Sequence, residues 1–165
     1  MKKLLSACLA ALLILTLLFS ASALAEEKRI QVVTTIFPIY DWVRQVAGQE
    51  TARMDLAMLL DSGSDLHNFQ PSAPDILKVA SADLFIYVGG ESDDWVDDVL
   101  KTANNANLRV INLLEALGDL AKEEEHVEGM EHDEEEEGED HDMEHDEHVW
   151  LSLRNAQVLC REIAD

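Results

Sequence analysis

The sequence predicts an α/β fold, a parallel four-stranded sheet flanked by helices, with a disordered acidic, histidine-rich insertion near its end. Two observations carry this. Short β-branched runs alternate with stretches whose apolar residues recur at helical spacing. The resulting order, strand–helix–strand–helix–strand–helix–strand, implies parallel strands with helices on both faces. Between Glu123 and His148 the composition then changes abruptly: 16 of 26 residues are Asp or Glu and five are His, which leaves nothing to pack into a core.

The first 25 residues stand outside that domain. Lys2 and Lys3 precede an apolar run from Leu4 to Phe19, and Ala23-Leu24-Ala25 is a small-x-small cleavage site before Glu26-Glu27. This is the pattern of a secretory signal peptide cleaved near Ala25 rather than of an uncleaved anchor, and it predicts an extracytoplasmic location, in the periplasm or cell envelope. Leu5-Ser6-Ala7-Cys8 has the form of a lipoprotein box but comes before almost any apolar run, so plain export is expected.

Ile30 to Thr35 is short, β-branched and read as a buried strand. Pro38 suits a loop or a first helical turn. Ile39, Trp42, Val43 and Val46 follow at helical spacing, and Gly48 closes that helix. Met54, Leu56 and Met58 alternate within Ala52 to Leu60 and favour a strand. Asp61 to Gln70 is a loop by composition and contains His67. Ser72, Pro74 and Asp75 then form a helix start with a capping box, ahead of an apolar face of Ile76, Leu77, Val79 and Ala80. Leu84 to Val88 is the clearest strand, ended by Gly89-Gly90. Asp93 or Asp94 is expected to cap a helix bearing Trp95, Val96, Val99 and Leu100. Leu108 to Ile111 is the fourth strand, and a short helix from Leu113 to Leu120 leads into the insertion, residues 121–147. Val149 to Leu151 reads as extended. Ser152 caps a final helix with Leu153, Ala156, Leu159, Cys160 and Ile163 on one face.

The charge balance narrows the partners. Acidic residues number 34 against 12 basic ones, a formal net charge of −22. Such a chain lacks the Lys and Arg that phosphate binding needs, so nucleic acid and anionic membranes are not expected partners. No G-x-x-x-x-G-K-[ST] occurs, so a nucleotide is not expected either. Once the leader is removed Cys160 is the one cysteine left, and the domain stands on its core without an internal disulfide.

The histidines point to metal. Imidazole suits zinc, and carboxylates orient imidazoles by hydrogen bonds to the ring. Parallel sheets bind ligands beyond the carboxyl ends of their strands. His67 follows the second strand and His148 follows the fourth across the insertion, so both loops are expected at one edge of the sheet. Asp65 and Asp146, each two residues before one of these histidines, are the candidate orienting carboxylates. His126, His132, His141 and His145 lie in the insertion, where dense carboxylates attract divalent cations into weak, transient sites. His141-Asp142-Met143-Glu144-His145 fits the H-x-x-E-H pattern of zinc peptidases but lacks the apolar helix that motif requires. No glycine stands where an EF-hand loop would need it.

Several stretches together resemble the zinc-type solute-binding proteins of metal ABC transporters. They are Val33-Thr34-Thr35-Ile36-Phe37-Pro38-Ile39-Tyr40-Asp41-Trp42-Val43, Asp65-Leu66-His67 with Pro71-Ser72-Ala73-Pro74-Asp75, Ala82-Asp83-Leu84-Phe85 through Gly89-Gly90 and Trp95, and Asp146-Glu147-His148-Val149-Trp150-Leu151. The resemblance implies one lobe of a two-lobed protein, residues 26–165. It implies metal ligands at His67 and His148, Zn2+ as the carried solute, and an ABC permease as the partner that receives it. No bond is made or broken. The acidic histidine-rich insertion looks like that of the zinc-type members. The chain departs from the family at Glu147, where Pro is common, and at Ser152-Leu153, where Asp-Pro is common. The family's second lobe, with a third His and a carboxylate, is expected to follow a connecting helix, and this chain stops within what looks like that helix. Two other readings stand beside this one: a secreted zinc buffer acting through the insertion, and a secreted zinc hydrolase, for which no general base is placed.

Overall fold

The computed structural model describes residues 28–60, 65–103, 105–121 and 145–165. The signal peptide expected over residues 1–25 and the insertion from 122 to 144 lie outside the described residues.

The strands are β1 (Ile30–Thr34), β2 (Met54–Met58), β3 (Leu84–Tyr87) and β4 (Arg109–Asn112). All pair in parallel, in the order β2-β1-β3-β4. The helices are α1 (Phe37–Ala47), α2 (Ala73–Ser81), α3 (Trp95–Lys101), α4 (Leu113–Leu117) and α5 (Leu153–Ala164). The central strands read as continuous apolar runs because both of their faces are covered. Val32, Val33 and Thr34 of β1 are buried, as are Phe85 and Ile86 of β3. From β1 the chain crosses to β2 on one side and then to β3 on the other. Right-handed crossovers therefore put α1 on one face and α2 with α3 on the opposite face. α5 packs against α1 and α4, anchored by Leu159, which is fully buried.

Each boundary has a local cause. Pro38 sits in the first turn of α1, and Gly48 ends it at φ 53°, where its N–H reaches the Arg44 carbonyl. At the start of α2 the Asp75 carboxylate accepts the Ser72 backbone N–H at 3.1 Å. Gly118, at φ 50°, stops α4 short, and a 3-10 turn continues to Leu120. Ser72 and Ser152 thus stand at the helix starts expected of them, and Ser152 Oγ accepts the Asn155 N–H at 3.4 Å.

Three local expectations are corrected. Leu77 is 70% exposed rather than part of the α2 core face. Ile76, Val79 and Ala80 cluster within one narrow arc at 100° per residue, and Leu77 lies about a quarter-turn away from it. Val149–Leu151 is a 3-10 turn, not an extended piece, closed by the Leu151 N–H on the His148 carbonyl at 3.0 Å. Neither Asp93 nor Asp94 caps α3 with its side chain. A 3-10 turn, Glu91–Asp93, runs straight into that helix, with the Asp93 and Asp94 N–H groups donating to the Gly90 and Glu91 carbonyls.

Asp93 instead turns inward. Its Oδ2 accepts the backbone N–H groups of Val88 and Gly89, both at 3.0 Å, and so holds the end of β3 against the turn that follows. The residue is 3% exposed. Burial pushes its carboxyl up to about 6, against the two backbone hydrogen bonds that favour the charged form, and the Glu147 carboxylate nearby adds to the rise. The folded chain therefore holds this proton up to about pH 6, and the unfolded chain releases it near about pH 4. Stability from this group is greatest below that window and falls as pH rises through it. Asp93→Asn, which keeps an oxygen acceptor without a charge, should flatten the pH dependence of urea unfolding between these values. Asp93→Ala leaves two buried amides without an acceptor and should cost about 2–4 kcal/mol in the same measurement.

Candidate metal centre

The β2-β1-β3-β4 order reverses direction between β1 and β3, and the loops leaving these two strands diverge there. Such a switch point is where open α/β sheets form a crevice. The backbone ladder continues beyond the strands to brace it. Leu59 and Leu60 donate to the Thr34 and Thr35 carbonyls, both at 2.9 Å, and Thr35 donates to the Ile86 carbonyl at 3.2 Å. An open cleft of about 550 Å3 lies above this edge, lined by Ile36, Phe37, Pro38, Met58, Leu60, Asp65, Leu66, His67, His148 and Trp150. A polar cavity of about 470 Å3 adjoins it, lined by His67, Glu91, Ser92, Asp94, His145, Glu147 and His148. The two imidazoles form the wall that the cleft and the cavity share.

His67 sits on a single 3-10 turn, Leu66–Asn68. Asp65 starts the turn by accepting the His67 backbone N–H at 3.1 Å and the Asn68 side-chain amide at 3.2 Å. Leu66 is buried beneath it, and Phe69 packs edge-on against Trp95 with ring centroids 5.8 Å apart. The turn is thus pinned on both sides of His67 while the imidazole stays half exposed. The ring Nδ1 lies 2.9 Å from Ser92 Oγ. Asp65 therefore shapes the backbone under His67, and the hydroxyl of Ser92 meets the ring.

His148 is held differently. The Asp146 Oδ1 accepts both the His148 backbone N–H and its ring Nδ1–H, each at 2.9 Å. Trp150 packs beside the ring at 5.2 Å between centroids, and Val149 is buried below. The His67 and His148 rings then stand 5.5 Å apart, centroid to centroid, inclined at 51°. The crossovers have brought to one place two side chains that are far apart along the chain.

Glu147 was not singled out from the sequence as a site residue. It is 9% exposed. Its Oε1 accepts the Ser92 backbone N–H at 2.9 Å, its Oε2 accepts the Ser92 hydroxyl at 2.5 Å, and Oε2 lies 3.7 Å from His67 Nδ1. Gly90 makes room for it. A Cβ at Gly90 would sit 2.3 Å from Glu147 Oε1, and the backbone there is at φ 81°. His145 reaches the polar cavity; His126, His132 and His141 lie outside the described residues. Among the described residues no three His, Cys, Asp or Glu side chains converge closely enough to hold an ion by themselves.

Residues 32–165 match the family model described as the zinc-uptake complex component A, periplasmic. The chain belongs to this family. Among curated proteins it is 36% identical over 167 residues to the zinc-binding lipoprotein AdcA of Streptococcus pneumoniae serotype 4, across 100% of this chain and 31% of that protein. It is 32% identical over 160 residues to the zinc-binding protein AdcA of Streptococcus pyogenes serotype M6, across 90% of this chain and 29% of that protein. The chain thus spans less than a third of the length of these two relatives. The Zn(II)-bound crystal structure of Streptococcus pneumoniae AdcA superposes with a TM-score of 0.59 at 28% identity, over 82% of this chain and 25% of that one. The metal-dependent lipoprotein YcdH of Bacillus subtilis gives a TM-score of 0.59 at 26% identity, over 82% of this chain and 42% of that one. The four-stranded parallel sheet with its flanking helices matches one lobe of these solute-binding proteins.

Gly90→Ala tests how closely this corner is built. The φ and ψ of Gly90, 81° and −171°, fall in a region open essentially to Gly alone, which costs another residue about 1–3 kcal/mol. The new methyl group should also push the Glu147 carboxylate away. The variant should melt at lower temperature, and the Ser92 amide, deprived of its acceptor, should exchange its hydrogen faster than in the wild type.

Proposed function

We propose that this chain is the amino-terminal lobe of an exported solute-binding protein that captures Zn2+ at His67 and His148 and delivers it to an ABC permease. The observation that carries this is the spacing of the two imidazoles. Zn–N bonds of about 2.0–2.1 Å at tetrahedral angles put two bound imidazole centroids roughly 5 Å apart. The 5.5 Å separation of His67 and His148 is within easy adjustment of that. Family membership and the zinc-binding names of AdcA support the choice of ion.

Two imidazoles fill half of a tetrahedral shell, so the open positions face outward from this lobe. That suits a carrier, which must release its ion as well as bind it. The ion enters a field set by Asp65, Glu91, Asp94, Asp146 and Glu147, all lining the cleft, the adjoining cavity or the carboxylate shell of His148. Asp146 orients the His148 ring through its Nδ1–H, which leaves Nε2 as the donor to metal. The insertion and His145 collect zinc weakly and pass it to this pair; protons compete for the same imidazoles, so capture weakens in acid. Residues 26–165 form the lobe, with α5 as the start of the connecting helix, and the signal peptide is removed near Ala25. No enzymatic step is involved.

In a competition titration with a zinc chelator, His67→Ala and His148→Ala should each weaken tight binding by at least about a hundredfold. Deleting residues 123–144, while keeping His145 to His148, should remove weak additional zinc equivalents and spare the tight site. Wild-type affinity in both alanine variants would overturn the assignment.

A further inference from the structure

We infer that Glu147 is a positioning residue for His67, acting through the Ser92 hydroxyl to keep the proton of the imidazole on Nδ1 and the lone pair of Nε2 free for the ion. The inference rests on the zinc reading only for what the lone pair is used for. The hydrogen-bond order itself follows from the geometry.

Glu147 Oε2 and Ser92 Oγ are 2.5 Å apart, and Ser92 Oγ and His67 Nδ1 are 2.9 Å apart. An ionised carboxylate only accepts, and a serine hydroxyl has a single proton. That proton is therefore committed to Glu147, and Ser92 Oγ faces His67 with a lone pair. The ring must then supply the proton at Nδ1. The second carboxylate oxygen holds the Ser92 backbone N–H at 2.9 Å, so both oxygens of Glu147 are held by Ser92 and the acceptor stays in place beside the hydroxyl. Gly90 leaves the space in which the carboxylate lies.

The consequence is chemical. A free neutral imidazole favours its proton on Nε2, the atom that would face the ion. Without an acceptor for its own proton, the Ser92 hydroxyl would turn and donate to His67 Nδ1, which drives the ring proton to Nε2 and blocks that donor. His148 reaches the same Nδ1–H form by a shorter route, directly from Asp146. One imidazole is thus oriented by a carboxylate in contact with it and the other by a carboxylate one hydroxyl removed. Asp146 and Glu147 are adjacent in the chain, so a single two-residue segment sets the tautomer of both rings. The sequence-level candidate for the His67 side was Asp65, whose carboxylate is used instead on the backbone N–H of the turn.

The test is nitrogen-15 NMR of the histidine rings in the metal-free protein at about pH 8.5, above the ordinary imidazole range. The wild type should show His67 protonated on Nδ1. Ser92→Ala and Glu147→Ala should move His67 toward the Nε2–H form and leave the His148 signals in place. Ser92→Thr, which keeps the hydroxyl, should retain the wild-type tautomer. Zinc affinity should fall about 10–100-fold in Ser92→Ala and Glu147→Ala, the usual effect of removing a group that orients a ligand. A wild-type ring protonated on Nε2, or a tautomer unchanged in both alanine variants, would overturn the inference. If the tautomer shifts as expected while His67→Ala still binds zinc normally, the zinc assignment falls and the relay stands. Ser92→Ala removes one half-buried hydroxyl and is expected to fold even if Glu147→Ala does not.

Discussion

Everything at this site depends on four strands running the same way. A parallel ladder sends every strand end to one edge, and the reversal of order between β1 and β3 opens a crevice there. His67, Ser92 and the Asp146–His148 segment arrive from the ends of β2, β3 and β4 in turn. None of them is near another in the sequence except within that last segment. Remove the parallel pairing and no local feature of the loops would bring them together. The buried centre of β1 and β3, with Val32, Phe85 and Ile86 each no more than 1% exposed, is what holds the edge in register.

A second level of order lies in short polar turns. Asp65 and Asp146 each accept the backbone N–H of the histidine two residues ahead, so both ligand candidates sit on the same kind of side-chain-closed turn. Asp93 does a related job from inside the protein, bridging the end of β3 to the turn that carries Ser92. Carboxylates, abundant in a chain of charge −22, serve here chiefly as acceptors for backbone amides. Asp146 reaches the His148 ring nitrogen directly, at 2.9 Å; Glu147 stands 3.7 Å from the His67 ring nitrogen and acts on it through a hydroxyl.

Much of this was legible in the sequence. Strand–helix alternation gave the parallel lobe, because β-branched runs and helical spacing differ in period. The positions of His67 and His148 after the second and fourth strands gave their convergence, because crossover handedness leaves little choice. Boundaries shifted by two or three residues where a 3-10 turn took the place of an element's end, as before Met54 and after Leu117. The tie between Ser92 and Glu147 was not legible. It spans 55 residues, and Glu147 lies in a stretch where 16 of 26 residues are acidic, so no pattern marks it out. Its one signal was a departure from the resemblance: an acidic residue at the position where the resembled pattern leads one to expect Pro. Asp93 was misread for the opposite reason. Its place before a helix suggested a cap, yet its carboxylate turns back to the Val88 and Gly89 amides at the end of β3.

Gly90 and Glu147 occupy one small volume between them, since a Cβ on the first would fall 2.3 Å from the second's Oε1. The two positions are therefore coupled as lineages diverge. A side chain entering at 90 must displace the carboxylate at 147 as well as adopt a backbone geometry that favours glycine. A long acid at 147 keeps its place beside Ser92 while 90 stays glycine, so a lineage that retains the one is expected to retain the other.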